Sequence, residues 1–177
     1  PNVPLFPAVA LPLHVFEPRY RDLVRDALAG SKAMAIARLK PGFEANYAGR
    51  PAVFDVCGAG FIEDHRKHDD GRYDILVRGA GRVRILNEHA PLQTYRLVDA
   101  ELLTDLPTPP ELALAFHERL RAVWATLAPH LPKGARDLAI FTRDADGTGT
   151  LSDKLAGSLL GEPELTQRLL DELDPAE

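Results

Sequence analysis

Side chains that could do chemistry gather at a few places along the chain. The run His65-Arg-Lys-His-Asp-Asp-Gly-Arg72, preceded by Asp64, holds His65, His68, Asp69 and Asp70 within one short segment. A first-row metal needs three or four convergent donors of these types. Asp70-Gly71, however, is a hairpin turn signal, and at a solvated turn histidine and aspartate serve as plain polar residues, which is the reading adopted. A second run, Asp144-Ala-Asp-Gly-Thr-Gly-Thr-Leu-Ser-Asp-Lys-Leu155, matches a calcium loop at its first and third acidic positions, at Gly149 and at Leu151. Leu155 stands where the two-oxygen glutamate ligand belongs, so the segment reads as a turn capping the helix that follows. Ser31, Ser152 and Ser158 lie in no recognisable nucleophile context. Cys57, the single cysteine, sits between Val56 and Gly58 and reads as a small buried apolar residue. No Gly-x-x-x-x-Gly-Lys-Ser/Thr is present to cradle a nucleotide phosphate. No catalytic residue, cofactor or metal is therefore expected.

Recognition chemistry is better represented. Phe43 and Tyr47 lie off any periodic stripe, in the polar loop Lys40-Pro-Gly-Phe-Glu-Ala-Asn-Tyr-Ala-Gly-Arg-Pro51. Large rigid side chains bury much area at low entropic cost, so exposed loop aromatics suit contact with a polypeptide; the competing reading folds them back over a satellite core. Arg72, Arg78, Arg82 and Arg84 cluster in sequence and offer either a surface for acidic partners or a strand face balanced by Asp69, Asp70, Asp74 and Glu88. Glu17 favours a helix N-terminus. His14, between Leu13 and Val15, reads as a structural histidine.

The elements that must position these residues change texture along the chain. Pro18 opens a helix whose Tyr20, Leu23, Val24, Ala27 and Leu28 share one face, with Gly30 as its stop. Strands follow at 33–39, 53–62, 73–77, a resumption through Val83 and Ile85, and 97–103. Gly58 and Gly60 imply a bulge or tight bend, and Gly79 and Gly81 a second interruption. Beyond Thr104-Asp-Leu-Pro-Thr-Pro-Pro110 the pattern turns helical. A capping-box spacing, Thr108 to Glu111, opens a stripe of Phe116, Leu120, Val123, Trp124 and Leu127, ended by Pro129 and Pro132. A second stripe is Leu151, Leu155, Leu159 and Leu160, closed by Gly161; a third, entered through Pro163, is Leu165, Leu169, Leu170 and Leu173.

Composition narrows the classes. With 177 residues, 45% hydrophobic and 27% charged, the chain can build a core without disulfides, and wholesale disorder is excluded. Residues 1–105 carry 14 basic and 14 acidic side chains, and residues 106–177 carry 7 and 12. Neither part has the basic excess that phosphate-backbone binding requires. No stretch has the roughly 18 uninterrupted apolar residues of a spanning helix, and no charged-then-apolar leader opens the chain. A cytoplasmic protein with no membrane and no nucleic-acid partner is expected.

Pro4-Leu-Phe-Pro-Ala-Val-Ala-Leu-Pro-Leu-His-Val-Phe-Glu-Pro-Arg-Tyr20 and the residues up to Gly30 resemble the opening of the Lon protease N-terminal domain, of the stand-alone bacterial type. Asp70-Gly-Arg-Tyr-Asp-Ile-Leu-Val-Arg-Gly79 with Arg82-Val-Arg-Ile85 is similar to the family's hairpin strand and the strand after it. The loop 40–51 has no counterpart in the family pattern. The resemblance implies a PUA-like curved sheet or pseudo-barrel with one helix, followed by a small helical bundle, an α+β fold. It also implies recognition of protein substrates, and it carries over no catalysis.

The expectation is a PUA-like β domain over 1–105 and a helical bundle over 106–177. The chain is expected to be no enzyme. It would bind exposed apolar segments of unfolded or degron-bearing polypeptides, as a recognition or adaptor module that could serve an ATP-dependent protease, with Phe43 and Tyr47 in the peptide-binding surface and no cofactor. The alternative is a PUA-like RNA-binding module, which the neutral charge of residues 1–105 disfavours.

Overall fold

The turn at Asp70-Gly71 sets the frame of the molecule. The computed structural model describes residues 3–130, 147–159 and 162–174. Gly71 takes φ 82°, a left-handed conformation that glycine adopts at little cost. Its N–H donates to the His68 carbonyl and the His68 N–H donates to the Arg72 carbonyl, both at 2.9 Å. This turn joins β3 (Val56–Lys67) to β4 (Tyr73–Glu88), which run antiparallel. β1 (Ala10–Val15) and β5 (Val98–Leu103) both pair with β4, and β2 (Ala33–Ile36) pairs with β3. The strand order is β1-β4-β3-β2, with β5 beside the far half of β4.

The glycines do not cut the strands into the short pieces that the sequence suggests. β4 runs unbroken for 16 residues. Its first part, Tyr73–Arg78, pairs with β1, and its later part, Arg82–Glu88, pairs with β5. The expected irregularity at Gly60 is present as a register shift between Ala59 and Gly60. What the glycines permit is a close crossing. The segment containing Leu5 and Phe6 passes over the sheet so tightly that a Cβ on Gly58 would collide with the Leu5 carbonyl, and one on Gly79 with the Phe6 carbonyl. Leu5 and Phe6 are thereby fully buried, each side chain stabilising the fold by roughly 1.5–3 kcal/mol.

Helix α1 (Pro18–Ala29) begins with proline in its first turn, as the spacing predicts, and ends at Gly30, whose N–H reaches the Ala27 carbonyl. It buries Val24 against Leu5, Val15, Ile36, Ile62, Tyr73, Ile75 and Val77, with Tyr20, Ala27 and Leu28 packed alongside. The alternation of Tyr73, Ile75 and Val77 on one face of β4 is the pattern a half-buried strand requires.

Beyond β5 the described elements are helical: α2 (Pro110–Leu127), α3 (Thr148–Leu159) and α4 (Pro163–Asp171). A second core forms where Ala156 of α3 and Leu170 of α4 meet Phe6, with Val9, Val56 and Leu169 packed against it. Leu151 is buried, whereas Leu165 of the third stripe faces solvent. The side chains of Trp124, Leu127 and Leu159, together with Pro132, Leu160 and Gly161, lie outside the described residues. So do Asp144 and Asp146 of the calcium-like run. Among the described side chains of α2 none is fully buried, and Leu112, Leu114 and Val123 are exposed.

Polar groups complete the junction between sheet and helices. Arg38, almost buried, donates to the Pro163 carbonyl at 2.5 Å and to Glu164 at 3.1 Å. Gln167 donates to the Val56 carbonyl at 3.1 Å, and the Leu106 N–H to the Leu173 carbonyl at 2.7 Å. The central tie is Arg82, only 6% exposed. Its guanidinium grips the Asp153 carboxylate of α3 with two nitrogens, reaches Asp105 at 3.0 Å, and donates Nε to the Leu170 carbonyl of α4 at 3.1 Å. Two carboxylates thus share one buried cation. Burial pushes the Asp153 carboxyl up to about 6; Arg82 opposes the rise and Asp105 adds to it.

Two outcomes follow from this junction. Arg82→Met strands the Asp153 charge in a desolvated site and should cost about 3–5 kcal/mol in urea unfolding, while Arg82→Met with Asp153→Leu should recover most of the loss. The pH dependence has a definite sign. Folded Asp153 keeps its proton up to about 6 against the ordinary 3.8, so the folded state binds more protons in that window and this group's contribution to stability falls as pH rises through it. Asp105→Asn removes the neighbouring negative charge, and thermal melts taken at intervals from about pH 4 to about pH 7 should then show a flatter dependence than wild type.

Candidate functional site

The loop between β2 and β3 is closed at its base before it carries any aromatic. Leu39 and Val53 form an isolated antiparallel bridge, and the Lys40 N–H donates to the Ala52 carbonyl at 2.8 Å. Within the loop, Phe43–Asn46 form one turn of 3₁₀ helix, entered through Gly42 at φ 85°. This turn sets Phe43 and Tyr47 side by side, ring centroids 6.0 Å apart at 55°. Phe43 is half-buried and Tyr47 is 41% exposed.

The start of α1 holds the Tyr47 ring in place. Tyr47 Oη donates to Glu17 Oε1 at 2.6 Å, and this bond holds the phenol above its usual titration range. Arg19 donates to the other Glu17 oxygen at 3.0 Å and to the Tyr47 carbonyl at 3.3 Å. Its guanidinium carbon lies 5.0 Å from the Tyr47 ring centroid and 4.7 Å from that of Tyr20, cation–π distances in both cases. Glu17 is indeed the residue before the helix, but its side chain makes no capping bond and is committed to Arg19 and Tyr47 instead. Phe16, one residue earlier, is 60% exposed. The outcome is an aromatic surface whose tyrosine is exposed yet fixed, a form suited to burying an apolar partner with little further loss of freedom.

The remaining candidates take other places. Arg82 is buried in the sheet–helix junction, and the other arginines of the cluster are paired on the surface: Arg72 with Asp70, Arg78 with Glu63, Arg84 with Glu101. Cys57 is fully buried, and burial pushes its thiol up to about 11, which makes it a poor nucleophile at neutral pH. His68 turns back from the hairpin and meets His14 of β1 at the Asp74 carboxylate. Hydrogen bonds from these two histidines hold Asp74 below the usual carboxylate range. Sequence reasoning did not join the three, because His14 and Asp74 become neighbours only through the β1–β4 register. The alternation that turns Asp74 away from the core is the one local signal pointing to it. No helix of the described residues is long and apolar enough to cross a membrane.

Three kinds of comparison agree with this architecture. Residues 1–177 match the family described as the ATP-dependent protease La (LON) substrate-binding domain. Among curated proteins, Lon protease of Roseiflexus castenholzii is 30% identical over 184 residues, covering 99% of this chain and 22% of the relative. Lon protease 2 of Syntrophobacter fumaroxidans is 30% identical over 147 residues, covering 82% and 18%. Lon protease of Desulfosudis oleivorans is 21% identical over 172 residues, covering 96% and 21%. The chain thus spans about a fifth of the length of the curated relatives it matches. Among solved structures, the N-terminal domain of the Mycobacterium avium complex Lon protease superposes with a TM-score of 0.75 at 17% identity, over 98% of this chain and 87% of that one. The Lon N-terminal domain protein of Xanthomonas campestris gives 0.65 at 22% identity, over 98% and 88%. Fold and sequence converge on one assignment: the chain belongs to the Lon substrate-binding domain family.

Proposed function

We propose that this chain is a non-catalytic recognition module that binds exposed apolar segments of protein substrates in the cytoplasm. Phe43 and Tyr47 form part of the contact surface. The observation that carries the reading is the match of the whole chain to a substrate-binding domain family. The fixed, exposed Tyr47 ring beside Phe43 supports the placement, because a pre-ordered aromatic loses little entropy on contact. Unfolded and degron-bearing polypeptides supply the partner chemistry: apolar side chains in a flexible backbone that pays its own ordering cost on binding. That cost and a shallow surface set the affinity in the micromolar range. An ATP-dependent protease is the partner that would act on what is bound, whether joined to this domain or recruited by it.

Titration of the purified chain with a fluorescently labelled, permanently unfolded model protein tests both parts. Saturable, micromolar-range anisotropy change is the expected result, and Phe43→Ala with Tyr47→Ala should weaken it about fivefold or more, given that truncating a contact aromatic commonly costs more than 1 kcal/mol. No change at high concentration with the wild-type chain would overturn the function. Equal affinity of wild type and double variant would move the contact surface elsewhere and leave the function standing.

A further inference from the structure

Among the described residues, one group of three side chains has the donor types and spacing of a metal site: His14, His68 and Asp74, whose ligand atoms all lie within 4.8 Å of one another. They come from three places in the chain. His14 is on β1, Asp74 is its direct cross-strand partner on β4, and His68 is in the turn that closes the β3–β4 hairpin. One Asp74 oxygen faces His14 Nδ1 at 2.5 Å and the other faces His68 Nε2 at 2.6 Å. The two imidazoles approach edge to face with centroids 6.1 Å apart. Backbone register fixes His14 and Asp74, and the turn's hydrogen bonds fix His68, so the three side chains are held on one frame.

We propose that His14, His68 and Asp74 bind a divalent transition-metal ion that clamps the hairpin turn to the first strand. Two imidazoles and a carboxylate suit a borderline ion such as Zn²⁺, whereas Mg²⁺ demands an all-oxygen shell. An ion about 2.0–2.1 Å from each donor in tetrahedral array keeps the donors roughly 3.3 Å apart. Donors now 2.5–2.6 Å apart must therefore part by less than about 1 Å, and donors as much as 4.8 Å apart must close by up to about 1.5 Å, shifts that the partly exposed side chains allow. The open side of the cluster leaves the remaining coordination positions to water.

Arg72 opposes the ion. Its Nη1 lies 3.3 Å from His14 Nε2, and since arginine can only donate, the ring proton sits on Nδ1, facing Asp74. For Nδ1 to ligate, that proton moves to Nε2 and Arg72 swings toward Asp70, to which it is already bonded at 2.6 Å. Affinity is accordingly modest, and Arg72 is the residue that limits it. His89 provides a control within the same chain: it faces a single carboxylate, Asp99, at 2.8 Å and, among the described residues, belongs to no group of three.

Calorimetric titration of the full chain with Zn²⁺, with Mg²⁺ as the comparison ion, is the test. One Zn²⁺ per chain and no Mg²⁺ is expected. His14→Gln and His68→Gln should each weaken binding at least tenfold, and Arg72→Gln should tighten it severalfold. Imidazole NMR of the unaltered chain gives a readout independent of any variant: Zn²⁺ should shift the His14 and His68 ring signals together and leave those of His65 and His89 in place. Wild-type affinity in both histidine variants, shifts spread equally over His65 and His89, or no heat with Zn²⁺ would each overturn the site.

Discussion

One guanidinium holds the two textures of this chain together. Arg82 projects from the middle of β4 into a space walled by α3 and α4, where water does not compete. A buried cation left alone would be ruinous. Asp153, Asp105 and the Leu170 carbonyl together satisfy it, and each belongs to a different stretch of chain. The apolar cluster around Phe6, Ala156 and Leu170 could form in several registers, because leucine and alanine tolerate sliding. A charge that must be met at four donor positions tolerates none. The helices are thereby keyed to one placement on the sheet; Arg38 repeats the arrangement at the Pro163 carbonyl, at the other end of α4, and Gln167 of α4 does so at the Val56 carbonyl of β3.

Much of the frame was readable from local signals. Pro18, the apolar face through Leu28, and Gly30 delimit α1 because each acts within a turn of its neighbours. Asp70-Gly71 marks the hairpin for the same reason. What local signals do not carry is which strand lies beside which. The glycines at 79 and 81 read as interruptions, but they stand where β4 exchanges one partner strand for another and where the N-terminal segment crosses. Arg82 read as one of four surface arginines for a related cause: its burial is decided by helices more than sixty residues further along.

The aromatic loop illustrates the same boundary between local and distant information. That Phe43 and Tyr47 are unusual for a polar loop is visible in the sequence. That Tyr47 is pinned by Glu17 and Arg19 is not, since those residues are thirty positions away and look like ordinary helix-start charges. The pinning matters physically: a tyrosine free to sample many rotamers and one held in a single pose present the same area but differ in what remains to be ordered on contact. Residues that a composition reading assigns to helix stability are here spent on orienting a ring.

The pairing of β1 with β4 has a consequence for how the chain is made. Residues 10–15 have no strand to join until Tyr73–Arg78 have been synthesised, an interval of roughly 3–13 seconds at ribosomal rates of about 5–20 residues per second. Throughout that time Leu5 and Phe6, among the most deeply buried large side chains of the described residues, trail in water. Until the central hairpin arrives to cover it, the nascent chain carries around Leu5 and Phe6 an uncovered greasy stretch of the sort that quality-control machinery inspects.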